Sequence, residues 1–413
     1  MSYNYKLNSI LLGMILCGIL FFLYLLMYAQ TITLDLFNSM FLTAAIGGSF
    51  CLYFDIFLKG FEPFVYWIVW VLFLFIFAII SLLLNLYFLM LLVWLFGSIH
   101  IILHILLEPK NQTKIMIMNC CVYISLPLFI IISNYFLKLS GLNNPLVIDE
   151  FLMAIDGTLG IYPSLIMGHF FVGLPALMYG FFMGLYVALP TAIILLYIKR
   201  IRIVKEPPYS YLIEIILAGV FGYALYNAIP GCGAIPAFNT WPNSLPQHFV
   251  QTNPQWMSCP TSFPRNSLPS LHTAWLICLL RQAWFCGRIT KIIVSIFAMG
   301  TVVAMFGVGH YLIDLIVGFS FANCIGGLCA SQLKWQNSAR LQATLFGALL
   351  CLSWYLIIFH GLSFLQVSKG LAWSAFVGSV FLSLYLELKL FKESKNQFEG
   401  YFIEPRTSEL TIG

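Results

Sequence analysis

Long apolar runs separated by short polar connections organise the chain from end to end. The clear runs cover residues 9–29, 37–58, 115–137, 209–229, 270–286, 291–308, 311–330, 342–361 and 370–388. Because a helix needs roughly 20 apolar residues to cross a bilayer, each run predicts one membrane-spanning helix. The first run is too long for the apolar part of a signal peptide, and no small-residue cleavage pattern follows it, so we interpret it as a span.

Two longer apolar stretches complete the predicted set. Residues 62–107 are too long for one span, and we expect a break near Asn85 that gives two. Residues 161–198 predict one full span ending near Lys199 plus a short helix or bend, because three prolines interrupt the helical hydrogen bonding there. The pattern therefore predicts an all-α integral membrane protein with about twelve transmembrane helices.

The composition agrees with this pattern. Hydrophobic residues make up 61% of the 413 positions and charged residues 8%, whereas soluble domains carry about 25% charged residues. The net charge of +5 is small, and no polybasic tract is present that would predict a nucleic-acid partner.

The basic residues indicate the orientation of the chain. They cluster at alternate connections, at Lys59, Lys110, Lys114, Lys199, Arg200, Arg202, Lys205, Arg281, Arg288, Lys291, Lys334, Arg340, Lys389, Lys392 and Lys395. The positive-inside rule makes that side cytoplasmic, which places both termini there. Segments 138–163 and 230–269 then face the opposite side.

A polar segment, residues 226–275, interrupts the apolar pattern and ends in the motif Pro269-Ser270-Leu271-His272. Proline suits the first turn of a helix, so His272 is expected within the first turn of the following span. Backbone N–H groups and the helix dipole at such a terminus favour a phosphate. By the orientation above, this terminus lies on the extracytoplasmic face.

A second motif, His310-Tyr311-Leu312-Ile313-Asp314, opens another span from the same face. The histidine and aspartate are four residues apart, which in a helix stacks them on one side. A carboxylate beside an imidazole fixes its tautomer and stabilises its charged form. The two motifs therefore predict one shared site.

Together the motifs resemble the second and third signatures of the type 2 phosphatidic acid phosphatase superfamily, closest to its inositol phosphorylceramide synthase-like, lipid phosphotransferase branch. The segment Tyr226-Asn227-Ala228-Ile229-Pro230-Gly231-Cys232-Gly233 is also similar to that branch, and the resemblance covers roughly residues 160–332. It implies a six-helix phosphatase or phosphotransferase core in the C-terminal half, an enzyme without a metal or other cofactor, and a membrane lipid as its partner.

The resemblance also implies residue roles. His310 would be the nucleophile that forms a phosphohistidine, Asp314 would orient it, and His272 would act as acid and base. The phosphate oxygens would be contacted by Arg265, Asn266 and Ser270. The superfamily's usual arginine six residues before the nucleophilic histidine is replaced here by Ala304, and its first signature has no match on the extracytoplasmic face.

These expectations give a domain plan. Residues 1–137 form an N-terminal module of about five spans, 138–340 a catalytic membrane domain, 341–389 two additional spans and 390–413 a cytoplasmic tail. We expect a bacterial inner membrane with a periplasmic site, the alternative being an endomembrane with a lumenal site.

Several alternatives remain at this stage. The acceptor can be an alcohol, giving a transferase, or water, giving a phosphatase of isoprenoid or phosphatidic acid-type lipids. A non-catalytic lipid transporter or structural protein is the rival from another class. Cys232 and Cys259 share the outer segment, where a disulfide and two separate thiols are equally compatible with the sequence. Asp156 lies in segment 138–163 on the same side, where it predicts either a turn or a group that positions the loop over the site.

Overall fold

The computed structural model describes residues 36–57, 94–99, 101–102, 114–204, 209–238, 240–244 and 254–403. The chain forms two compact units, one of Met1–Asn134 with Val187–Leu195 and one of Tyr135–Tyr186 with Leu196–Gly413. The second unit contains both histidine motifs. The predicted domain boundaries near 137, 340 and 389 stay predictions.

In the first unit, α1 (Leu36–Phe57) packs through small residues. A Cβ added at Gly48 would lie 3.2 Å from the Cα of Thr191. The Thr191 hydroxyl donates to the carbonyl of Ala44 at 2.6 Å. A buried hydroxyl needs such a partner in an apolar surrounding, so this hydrogen bond fixes the local packing.

The described residues contain fewer candidate spans than the sequence pattern predicts. Six helices are long and apolar enough to cross a membrane: Met116–Asn143, Ser210–Ala228, Arg288–Gly307, Leu312–Cys329, Ser338–Gln366 and Lys369–Gln397. A bent pair, Ala176–Val187 with Leu189–Ile203, raises the count to seven if it is one span. The predicted count of twelve is therefore not supported. Residues 9–29 and most of 62–107 lie outside the described part of the chain.

One predicted span, 270–286, is corrected to a short helix. It begins at Leu271 and ends at Ala283, a length of 13 residues, which is less than the roughly 20 needed to cross the hydrocarbon. The following turn contains Gly287, whose φ of 95° is a left-handed conformation that favours glycine. The chain thus turns before the predicted span is complete.

The chain continues through a series of helices and one short strand before the polar segment. They are α2 (Lys114–Asn143), β1 (Leu146–Val147), α3 (Asp149–Gly157), α4 (Pro163–Val172), α5 (Ala176–Val187), α6 (Leu189–Val204) and α7 (Tyr209–Ala228). The helices α5 and α6 meet at an angle of 57°. The predicted short helix and bend in residues 161–198 are present, and the predicted span is present if the bent pair crosses as one span.

The polar segment after α7 is held to the strand that follows α2. It contains α8 (Ala234–Ala237) and β2 (Met257–Ser258), and β2 pairs antiparallel with β1. The Ile148 N–H donates to the carbonyl of Pro230 at 2.9 Å. These backbone bonds keep the segment close to the helices that carry the histidines.

Three helices follow: α9 (Leu271–Ala283), α10 (Arg288–Gly307) and α11 (Leu312–Cys329). α9 and α11 approach closely at Gly318, where an added Cβ would lie 2.6 Å from the carbonyl oxygen of Ser270. The Ser270 N–H also donates to the carbonyl of Asp314 at 3.1 Å. The two motifs are therefore joined through backbone as well as side chains.

The C-terminal part contributes α12 (Ser338–Leu356), a π-helical turn at Ile357–Gly361, α13 (Leu362–Gln366) and α14 (Lys369–Ile403). The two spans predicted at 342–361 and 370–388 fall within candidate membrane helices. The amide of Asn323 donates to the carbonyl of Ser383 at 3.0 Å, and this bond ties α14 to α11.

A buried ion-pair triad also holds α14. The guanidinium of Arg281 on α9 donates to Glu214 on α7 and, at 2.7 Å through Nε, to Glu387 on α14. Arg281 entered the orientation argument as part of a connection between spans, but it lies within α9 and is only 7% exposed. Buried charges persist when they are paired and hydrogen-bonded, so this arginine links three helices.

The close approach at Gly318 gives a stability prediction. Gly318→Ala should lower the free energy of unfolding by about 1–3 kcal/mol, because the new methyl group meets backbone that cannot turn away. The matched control is Gly378→Ala in α14, where nothing lies within 4 Å of an added Cβ. The control should be neutral or stabilising, since alanine suits a helix better than glycine.

Thermal unfolding of the purified variants in detergent measures both effects. Equal melting temperatures for Gly318→Ala and Gly378→Ala would contradict the close packing of α9 on α11.

Candidate active site

The predicted pairing of His310 and Asp314 is present, but a helix face does not produce it. His310 lies just before α11, whose N-cap is Tyr311. The Nδ1 atom of His310 lies 3.1 Å from Oδ2 of Asp314. The Tyr311 N–H donates to the same oxygen at 2.9 Å. Asp314 therefore caps the helix and holds the imidazole at once, in place of the predicted i, i+4 stacking within a helix.

Asp314 is completely buried at the centre of these contacts. It is 0% exposed, and its Oδ2 also accepts a hydrogen bond from the Ser267 hydroxyl. Its Oδ1 is buried and has no hydrogen-bond partner within the described residues. Since all three donors converge on one oxygen, the orientation of the carboxylate, and through it that of His310, is fixed.

His272 is the second residue of α9, after the N-cap Ser270. Its imidazole stacks on the ring of Tyr186 with 4.2 Å between ring centroids and an angle of 20°. The Tyr186 hydroxyl lies 3.3 Å from Nδ1 of His272. Tyr186 stands near the end of α5, and its contact with His272 is one that the sequence analysis did not foresee.

The structure brings the two histidines together. The ring centroids of His272 and His310 are 6.5 Å apart, with an interplanar angle of 64°. The two residues are 38 positions apart in the sequence, and the contact of α9 with α11 closes that separation. Both imidazoles are thus close enough to contact one small group bound between them.

Arg265 lies in the core of the polar segment and is 0% exposed. Its Nε donates to the carbonyl of Asn144 at 2.8 Å, and its Nη1 donates to the carbonyl of Phe263 at 2.7 Å. Its remaining N–H groups point to Cys259, Pro260 and Gly141. All the donors of the guanidinium are therefore taken by the protein itself. This arrangement does not favour the predicted phosphate contact.

Two further predicted phosphate ligands differ in their surroundings. Ser270 is 0% exposed, and its hydroxyl accepts the Thr273 N–H at 3.3 Å as the cap of α9. Asn266 is half-buried, and its amide has no hydrogen-bond partner in the described part of the chain. Of the three predicted ligands, only Asn266 keeps its side-chain donors available for a ligand.

Asp149, which the sequence analysis did not select, links the polar segment to the histidine motif by hydrogen bonds. Its carboxylate accepts the N–H groups of Cys232 at 2.9 Å and Gly233 at 2.8 Å. It also accepts the Tyr311 hydroxyl at 3.0 Å. Burial raises the pKa of Asp149 to about 7 against the effect of these donors. The residue thus joins α3 to the segment next to His310.

Asp156 performs a similar task at the start of α11. Its Oδ2 accepts the Ser164 hydroxyl and, at 3.3 Å, the Leu312 N–H. The Ser164 oxygen in turn lies 2.9 Å from the Leu312 nitrogen. Burial raises the pKa of Asp156 to about 7. Of the two roles considered from the sequence, this contact favours positioning of the active-site segment.

Within the described residues, no group of three His, Cys, Asp or Glu side chains is arranged to hold a metal ion. The predicted absence of a metal or other cofactor stays a prediction. An imidazole fixed by a buried carboxylate and a second imidazole fixed by a hydroxyl can supply a nucleophile and an acid–base group.

The candidate spans indicate a multi-pass α-helical membrane protein, in which His272 and His310 come together near the starts of α9 and α11. Residues 150–328 match the PAP2 superfamily, so the chain carries a domain of that superfamily. The matched span contains both motifs. A search of curated proteins and a search of solved structures found no match. The superfamily resemblance is confirmed for this span, and the lipid phosphotransferase branch stays a prediction.

The raised pKa of Asp156 predicts a pH dependence of stability. Its value of about 7 lies above the unfolded value of about 3.9, so the folded state binds more protons between these values. The contribution of this carboxyl to stability is therefore present below about pH 4 and is lost as the pH rises through about 7. Asn at this position stays neutral. The melting temperature of Asp156→Asn should therefore exceed that of the parent protein by a margin that grows as the pH rises from 4 to 8.

Melting temperatures in detergent across this range provide the measurement. Ser164→Ala is the opposing variant, because the Ser164 hydroxyl lowers the pKa of Asp156 and its loss should steepen the decline. A difference between Asp156→Asn and the parent that stays constant with pH would rule out titration of this carboxyl.

Proposed function

We propose that the chain is a membrane-embedded lipid phosphotransferase or lipid phosphate phosphatase that works through a phosphohistidine. The observation that carries the proposal is the position of His310 on Asp314 at 3.1 Å, with the His272 ring 6.5 Å away. The PAP2 superfamily match over residues 150–328 supports a lipid phosphate as the substrate class. We place the site on the extracytoplasmic face, in agreement with the distribution of basic residues.

In the first step, Nε2 of His310 attacks the phosphorus of the lipid substrate. A new N–P bond forms and the bond from phosphorus to the leaving oxygen breaks. Protonated His272 gives its proton to that oxygen. Asp314 holds Nδ1–H of His310, which directs the lone pair of Nε2 outward and stabilises the positive charge that develops on the ring.

In the second step, the acceptor resolves the intermediate. His272, now neutral, removes a proton from the acceptor hydroxyl, and its oxygen attacks phosphorus as the N–P bond breaks. The Tyr186 hydroxyl can donate to the neutral Nδ1 or accept from Nδ1–H, so it can hold the ring in both protonation states. Burial, and then the neighbouring His310, lower the pKa of His272 to about 3, so the negative charge of the bound phosphate must favour the protonated ring in the first step.

The phosphate oxygens need donors that do not come from Arg265. We propose that Asn266 and the N-terminal end of α9, which carries His272, supply them. A helix N-terminus attracts a phosphate through its N–H groups and its dipole. Ala304, which stands where the superfamily usually has an arginine, is fully buried. This substitution favours a divergent, transferase-like member over a simple phosphomonoesterase.

The decisive test is a product assay with the full chain in mixed lipid–detergent micelles. We expect His310→Ala to abolish turnover of a radiolabelled lipid phosphate. His272→Ala should lower kcat by roughly 10²–10⁴-fold, the usual contribution of an acid–base group. His169→Ala is the matched control, because His169 is exposed on α4 and should leave the rate unchanged. Full activity of both site variants would overturn the proposal and favour transport or a structural role.

The same assay separates transfer from hydrolysis. In the transferase version, added alcohol acceptor moves the label into a new lipid, and omission of the acceptor lowers turnover. Release of the label as inorganic phosphate at the same rate with and without alcohol would establish the phosphatase version instead.

The contact of Tyr186 with His272 gives an independent prediction. Tyr186→Phe keeps the stacked ring but removes the hydroxyl, so kcat should fall about fivefold, as expected for one lost hydrogen bond of roughly 1 kcal/mol. The limb of the pH–rate profile that reports protonation of His272 should move toward acid. Tyr179→Phe on the same helix, where the ring packs on Phe171, should change neither. An unmoved profile for Tyr186→Phe would show that the tyrosine only packs.

A further inference from the structure

Two buried cysteines meet where the polar segment folds back on itself. The sulfur atoms of Cys232 and Cys259 lie 3.0 Å apart, and the side chains are 5% and 3% exposed. Both are free thiols in the structure. Val147 is buried with them in the same small cluster, and Nη1 of Arg265 lies 3.4 Å from the Cys259 sulfur.

Backbone bonds hold each cysteine in place. The Cys232 N–H donates to Asp149 at 2.9 Å, and the Cys259 N–H donates to the carbonyl of Pro145 at 3.0 Å. Both anchors belong to the short stretch that includes β1 and the start of α3. The two sulfurs therefore face each other because of the folded backbone, and a covalent bond needs an approach of only about 1 Å.

The same two segments carry groups of the proposed active site. After Cys232, the Ala234 N–H donates to the carbonyl of Gly309, next to His310, at 2.7 Å. After Cys259, the Ser267 hydroxyl donates to Asp314. A bond between the cysteines would thus link the two supports of the nucleophilic pair.

We infer that Cys232 and Cys259 form a disulfide that locks these two supports together on the oxidising side of the membrane. A thiolate of one cysteine attacks the disulfide of a thiol–disulfide oxidoreductase, breaks its S–S bond and forms a mixed disulfide. The second thiolate attacks that mixed disulfide, forms the Cys232–Cys259 bond and releases the oxidant as a dithiolate. Both protons of the cysteines pass to solvent, from which the reduced oxidant takes up two protons to become a dithiol, and both electrons end on the oxidant.

The burial of both sulfurs has two consequences. The exchange takes place during folding, before the segment closes over the pair. Once formed, the disulfide resists reductant until the protein unfolds. The inference does not depend on the phosphotransferase proposal, because the cysteine geometry alone supports it.

Thiol counting on the full chain tests the inference. The protein is expressed in a host in which the extracytoplasmic side of the membrane is oxidising. It is then denatured in detergent and labelled with a mass-tagged maleimide. Without reductant we expect two labels fewer than the eleven cysteines of the chain, and all eleven after reduction. The double variant Cys232→Ser with Cys259→Ser should lose this difference. Cys324→Ser should keep it, with one label fewer in each sample.

Equal label numbers before and after reduction would overturn the inference, and so would a difference of two that survives in the double variant. Non-reducing peptide mapping should find the peptides of Cys232 and Cys259 joined. If the double variant misfolds, the mapping of the parent protein still decides the question. The proposed disulfide also predicts that the double variant has a severalfold shorter half-life on heating, with little change in kcat before inactivation.

Discussion

The buried carboxylate of Asp314 is the interaction on which the rest of the site depends. A carboxylate enclosed in an apolar region is costly unless donors surround it. Here one of its oxygens receives the imidazole of His310, the first N–H of the α11 cap and the Ser267 hydroxyl. Its backbone carbonyl receives Ser270 from the other motif. The residue that orients the proposed nucleophile therefore also joins the two motifs.

Two further aspartates extend this arrangement. Asp149 attaches the polar segment to Tyr311, and Asp156 attaches α3 to the first N–H of α11. Both lie on α3, so one short helix holds the cap residue Tyr311 and the residue that follows it, Leu312. Because burial makes these carboxyls costly to ionise, their donors are needed for the fold and not only for catalysis.

Much of this could be predicted from the sequence where the signal is local. Apolar runs predict the helices around the site, and the two motifs predict that His272 and His310 meet. The pairing of His310 with Asp314 is also local, although a helix cap produces it and the i, i+4 rule gave the wrong reason. The short α9 was missed because apolar composition continues past Ala283 while the backbone turns at Gly287.

Contacts between distant segments could not be predicted. Arg265 is a reasonable phosphate ligand by residue type, but the folded segment surrounds it with carbonyls from α2 and from its own loop. Tyr186 belongs to no motif, and its contact with His272 joins residues 86 positions apart. Asp149 likewise precedes its partners by more than 80 residues. Such contacts depend on tertiary packing, which periodicity does not encode.

The central claim is that His310 carries the phosphoryl group during turnover. The most direct measurement is to quench the full chain in alkaline denaturant while it turns over a lipid substrate with labelled phosphorus, and then to map the labelled peptide. The account predicts an acid-labile label on the peptide that contains His310, and no label in His310→Ala. A label on another residue, or turnover without any labelled protein intermediate, would contradict it.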